Sequence, residues 1–158
     1  MGHVSTALAL LRSTTHGPAW PGDSAMQILN AINAEQASAR PMDSAHTIWE
    51  ILNHMIAWSE YTERVLEGGD ATMLDGEEDW PPVRVSGDDD WKAAVDRFRT
   101  SADRVIAIVS SWTEAQLGAT IEGREITFKV LVNGIAHHNT YHSGQIGVLL
   151  AGLRQPQA

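Results

Sequence analysis

A chain of 158 residues, 43% hydrophobic and 20% charged, is sized for one compact domain, residues 1–158, around a single core. Its formal net charge of -9 leaves nucleic acid an unfavourable partner, because such binding rests on Lys and Arg neutralising phosphates. With no cysteine there is no disulfide, thiol nucleophile or thiolate ligand, so any metal must be held by nitrogen and oxygen.

No apolar run approaches the ~18 residues that a membrane span requires, and the N-terminal stretch lacks the basic start and long apolar core of a signal peptide. An acidic cytoplasmic protein is expected. Apolar residues recur at helical spacing in four segments, and none alternates as a strand would. The first segment is split. Val4, Leu8 and Leu11 share a face, Gly17-Pro18 and Pro21-Gly22 interrupt it, and the helix resumes after Asp23, the expected N-cap, with Met26, Leu29 and Ile32.

The second helix is predicted from about Ser44 to Leu66, with Thr47 and Glu50 at capping-box spacing and Gly68-Gly69 as its stop. Its stripe is Ile51, His54, Trp58, Tyr61 and Val65. A connection of roughly 20 residues follows, far longer than the ~2 to 8 residues usual between bundle helices. It contains Asp79-Trp80-Pro81-Pro82, and its length suits a crossover that can wall a site. The third helix, from about Asp89 to Trp112, carries Trp91, Val95, Phe98, Ala102, Val105, Val109 and Trp112, and Asp88 to Asp90 load its positive end. The segment 118–128 is expected to be short and irregular or extended. The fourth helix, from near Thr127 to about Leu150, presents Phe128, Leu131, Ile135, His138, His142, Ile146 and Leu149.

Three stripe positions are therefore histidine where the periodicity demands core. His138 and His142 lie one turn apart on one face, within ~6 Å, and His54 faces inward from the second helix. Buried imidazoles need partners for both nitrogens and repel one another when protonated; a shared divalent ion answers both needs. Hydrogen-bonded core histidines are the structural alternative. His137 is rotated about 100° from His138 and is peripheral. His3, His16 and His46 receive no role.

The stretch Ala136 to Ile146, with its paired histidines followed by Ser143-Gly144-Gln145-Ile146, resembles the last-helix signature of the DinB/YfiT-like superfamily. His46 to Trp58 is similar to the second-helix motif that supplies the first ligand there, and Asp79-Trp80-Pro81-Pro82 resembles a subgroup. The resemblance implies an all-α, up-down-down-up four-helix bundle, commonly a homodimer. It also implies a three-histidine site for nickel, zinc or a similar ion, with ligands His54, His138 and His142. Related families include hydrolases, and transferases or isomerases that use a low-molecular-weight thiol, so the resemblance implies a metal-dependent hydrolase or thiol-dependent transferase acting on a small-molecule substrate. A non-catalytic metal-binding protein of stress response or interaction is the alternative. Glu50, one turn before His54, is a candidate outer partner for that ring, or else only a capping glutamate. Trp58 and Gln145 are candidates to line the pocket.

Overall fold

The computed structural model describes residues 2–153. Four long helices dominate: α1 (His3–His16), α4 (Ile48–Leu66), α5 (Asp88–Ser110) and α7 (Phe128–Leu153). Three single-turn helices fill the connections: α2 (Ala25–Leu29), α3 (Ala34–Ser38) and α6 (Glu114–Gly118). No strand forms among the described residues; there are only isolated bridges, Ala19 to Gly22 and Thr120 to Thr127.

Side-chain contacts fix the helix directions. Along α4 and α5, Trp49 meets Trp91, Glu60 pairs with Arg97 and Glu63 with Arg104, so these helices run parallel. Along α4 and α7 the order reverses: Tyr61 lies near Leu131 and Ile135, His54 near His138 and His142, and Ile51 near Leu149. α1 starts beside Lys129 and Glu114 and ends beside Asp103, so it runs with α7 and against α5. The bundle is up-down-down-up. Two consecutive parallel helices need a chain that returns the full helix length, which is why the segment 67–87 is long.

Local chemistry sets the boundaries. α4 begins at Ile48, four residues later than the expected Ser44, because Thr47 accepts from Glu50 N (3.2 Å) and Glu50 accepts from Thr47 N (2.7 Å). α2 is capped by Ser24 and Gln27 rather than by Asp23, and α3 and α6 carry the same box at Asn33/Gln36 and Thr113/Gln116.

Two apolar clusters make most of the core. One joins α2 and α3 to Trp49, Leu52, Met55, Phe98 and Ile146; the other joins α1 and α6 to Val105, Val109, Val132 and Ala136. Each fully buried large side chain contributes about 1.5–3 kcal/mol. On α7, Ala136 belongs to one cluster and Ile146 to the other, and His138 and His142 occupy the interval between them. No described helix is long and apolar enough to cross a membrane.

Candidate metal centre

His54 of α4 and His138 and His142 of α7 converge in the groove between these helices. His138 Nε2 lies 2.9 Å from His54 Nε2 and 3.1 Å from His142 Nε2, and one ligand atom from each ring falls within 4.8 Å of the others. His54 is 6% exposed and His142 4%, so the cluster is largely withdrawn from bulk water.

The outward nitrogens fix the ring orientations. His54 Nδ1 is 2.7 Å from the main-chain oxygen of Asp79, which can only accept, so Nδ1 carries the proton and the Nε2 lone pair points into the cluster. His142 Nδ1 likewise donates to Gln145 Oε1 at 2.7 Å, while Gln145 Nε2 donates to the Tyr141 hydroxyl at 3.1 Å. Two lone pairs thus face His138 Nε2, which has at most one proton to offer them. His138 Nδ1, meanwhile, is buried without a hydrogen-bond partner among the described residues.

Neutral rings arranged so leave at least one lone pair set against another, a defect that a cation at the focus removes. The spacing agrees. Nitrogens 2.9–3.1 Å apart subtend roughly 90° at a point ~2.1 Å from each, the distance nitrogen ligands require. The residues present fit a divalent ion.

Protonation is correspondingly disfavoured. Burial, then the neighbouring His142 and His54, push His138 down to about 3. Burial is also the main cause that brings His142 down to about 4, partly opposed by its bond to Gln145. His54 is lowered by burial, with the Asp79 carbonyl and carboxylate pulling the other way. The three rings are neutral at physiological pH, the state a metal ion needs.

The crossover supplies the second layer. Asp79 Oδ1 accepts from Trp58 Nε1 at 2.6 Å and lies 3.2 Å from His54 Nδ1, so one aspartate joins the loop to two stripe positions of α4. Trp80 stacks on His54 (4.0 Å between ring centroids, 11° between planes) and equally on His46 (3.8 Å, 11°). Trp58 meets His54 edge-on and lies 5.9 Å from His138.

Of the residues singled out from sequence, His54, His138, His142, Trp58 and Gln145 come together. Glu50 does not reach His54. Its carboxylate is held by Thr47 N and by both oxygens' contacts with Arg40, at 3.0 and 3.1 Å, and His46 Nδ1 lies 3.4 Å away. Burial favours its neutral form, but the Thr47 amide and the Arg40 charge outweigh this and lower its pKa. Asp79 occupies the place expected for Glu50. His137 is exposed, as its rotation from His138 requires. Helical periodicity assigns no role to His46 or to Asp79. The sequence signal for Asp79 is the Asp79-Trp80-Pro81-Pro82 segment in a connection long enough to wall a site.

Three clefts border this region. The largest, about 780 Å³, lies between α4 and α5 beneath Pro81 and Pro82 and contains none of the histidines of the cluster. Two smaller ones flank the cluster along the α4–α7 groove: one of about 530 Å³ past His46, Tyr141 and Gln145, and one of about 270 Å³ past Trp58 and His138.

Comparison with known proteins places this arrangement. Residues 22–146, most of the chain, match the family model described as the DinB superfamily. Among solved structures the chain is similar to a DinB-like protein of Bacillus subtilis, with a TM-score of 0.67 and 16% identity over 96% of this chain and 94% of that one. No curated protein matches. At that identity the likeness speaks for the fold alone, but the family match spans both histidine helices and the crossover between them: the chain belongs to the DinB superfamily.

Proposed function

We propose that this protein is a metal-dependent enzyme acting on small molecules, with one divalent ion, zinc or nickel, held by His54, His138 and His142. The observation that carries this reading is the convergence of three Nε2 atoms, two with lone pairs directed inward by hydrogen bonds at the far side of their rings. Three protein ligands characterise catalytic rather than closed structural sites, since positions remain for water or substrate. When bound, the ion would supply Lewis-acid activation of a water or of a low-molecular-weight thiol. Hydrolysis and thiol transfer are thus the two reaction classes that this donor set serves.

The chain's own groups do the rest. Asp79 and Gln145 hold the tautomers of His54 and His142, as outer partners of ligating histidines do. Trp80 lies against His54 and limits water there, and Trp58 forms a wall shared by His138 and the smaller flanking cleft.

The test is metal analysis of protein purified without an affinity tag, followed by turnover on ester, amide and thiol-conjugate panels. The wild type is expected to retain about one divalent ion per chain, and His138→Ala to lose both metal and turnover. Unchanged activity in His138→Ala would refute the site. Full metal retention with no turnover on any panel would favour the non-catalytic binding protein instead.

A further inference from the structure

The flanking cleft of about 270 Å³ has a polarity unlike its neighbours. His138 stands at one end, and Trp58, Ile126, Val130, Leu131 and Ile135 make its walls. The only charged side chain in its lining is Arg124.

Arg124 is placed there by a tight hairpin between α6 and α7. Ile121 N donates to Ile126 O (3.0 Å) and Arg124 N to Ile121 O (3.0 Å), with Gly123 at φ +74° making the turn. This returns Arg124 towards α4, where Nη1 donates to the Tyr61 hydroxyl at 2.9 Å and to Ala71 O at 2.8 Å. Among the described residues Arg124 has no ion pair, and its Nε and Nη2 make no hydrogen bond. Arg40, Arg84, Arg97, Arg99 and Arg104 each meet a carboxylate. In a chain of net charge -9, an arginine anchored by one nitrogen at an apolar cleft, with its remaining donors unused, is a preformed receptor for an anion.

The larger clefts lack this feature. In the largest, Arg84 and Arg97 are occupied by Glu77 and Glu60, while Arg64 is spent on Asp70 O and the Tyr61 ring and shares its lining with the carboxylates of Glu60, Glu78 and Asp90. The cleft past His46 contains no arginine or lysine.

We propose, on the metal-site reading above, that the cleft between His138 and Arg124 is the substrate subsite, taking a small molecule with an apolar body and one carboxylate end. Arg124 receives the carboxylate and sets specificity, while the body runs along Trp58 and Ile135 to the histidines. Tyr61, which carries Arg124, lies seven residues beyond His54 on α4. At 1.5 Å per residue, the ligand's two ends are about 10 Å apart.

Calorimetric titration of the nickel-loaded protein with 4-phenylbutyrate and with the neutral 4-phenylbutanol tests this. The acid is expected to bind the wild type more tightly than the alcohol. Arg124→Gln is expected to weaken the acid about tenfold or more while sparing the alcohol, and Arg124→Lys to fall between. Gly134→Leu supplies a variant that leaves the arginine in place. Gly134 lines the cleft, and a Cβ there meets nothing within 4 Å, so the fold should persist while both probes weaken.

Equal affinity of the acid for wild type and Arg124→Gln would overturn the proposal. So would acid binding that Gly134→Leu leaves intact but that vanishes in metal-stripped protein, since the carboxylate would then sit on the ion. Nickel titration of each variant separates this outcome from failure of the metal reading. In the first case nickel binds without selectivity for the acid; in the second it does not bind at all.

Discussion

Two imidazoles of the cluster, those of His54 and His142, are held by different groups, and the groups differ in how replaceable they are. His54 is oriented by a main-chain oxygen that no substitution at Asp79 removes outright, whereas His142 depends on one amide, Gln145 Oε1 at 2.7 Å. Gln145→Ala should therefore leave the helix intact and free the His142 ring to rotate. Metal affinity is expected to fall about 10–100-fold, the usual effect of losing an outer partner of a ligating histidine. Competition against a chromophoric chelator reads this directly, and unchanged affinity would remove Gln145 from the site. At this scale the histidines were legible because a polar residue on an apolar stripe breaks a pattern that the sequence displays. Asp79 and His46 break no pattern. Their roles arise from contacts with Trp58 and Trp80 made across a loop, which helical periodicity does not register.

At the scale of the element, caps decide where helices begin. The stripe of α4 extends back towards Ser44, yet the Thr47–Glu50 box starts the helix at Ile48. Thr47→Ala removes the acceptor of the Glu50 amide and should cost about 1 kcal/mol. For a protein of this size that lowers Tm by about 2–4 °C. Calorimetry of the metal-free form measures the loss. Metal affinity should hardly move, because His54 lies nearly two turns inside the helix; an undiminished Tm would show that another group caps α4. The short helices α2, α3 and α6 carry the same S/T/N-x-x-Q signal. Single turns are too short for hydrophobic periodicity to register, so α3 and α6 leave no stripe in the sequence and the N-cap of α2 is Ser24, one residue after the expected Asp23.

For the whole molecule, the consequence of burying three imidazoles between two apolar clusters is a dependence of stability on pH. In the unfolded chain histidine titrates near 6.5, whereas folding holds His138 at about 3 and His142 at about 4. Below pH 6.5 the unfolded state takes up protons that the folded state refuses, so stability present above that pH is lost progressively as pH falls towards 4. The metal-free protein is expected to show a Tm that declines across this interval, with a shallower decline in His138→Ala. A flat profile in the wild type would mean that the rings are not held neutral. Metal should be released over the same range, because protons and the ion compete for the same lone pairs.

The helical class, the long helices and the three inward histidines are all legible along the chain, because each depends on periodicity or on local capping. Only the folded bundle fixes the seating of Asp79 and Trp80 on His54 and the hairpin that brings Arg124 to Tyr61. These contacts join residues 25 to 63 positions apart. Their partners are selected by the geometry of the closed bundle, and spacing along the chain carries no trace of them.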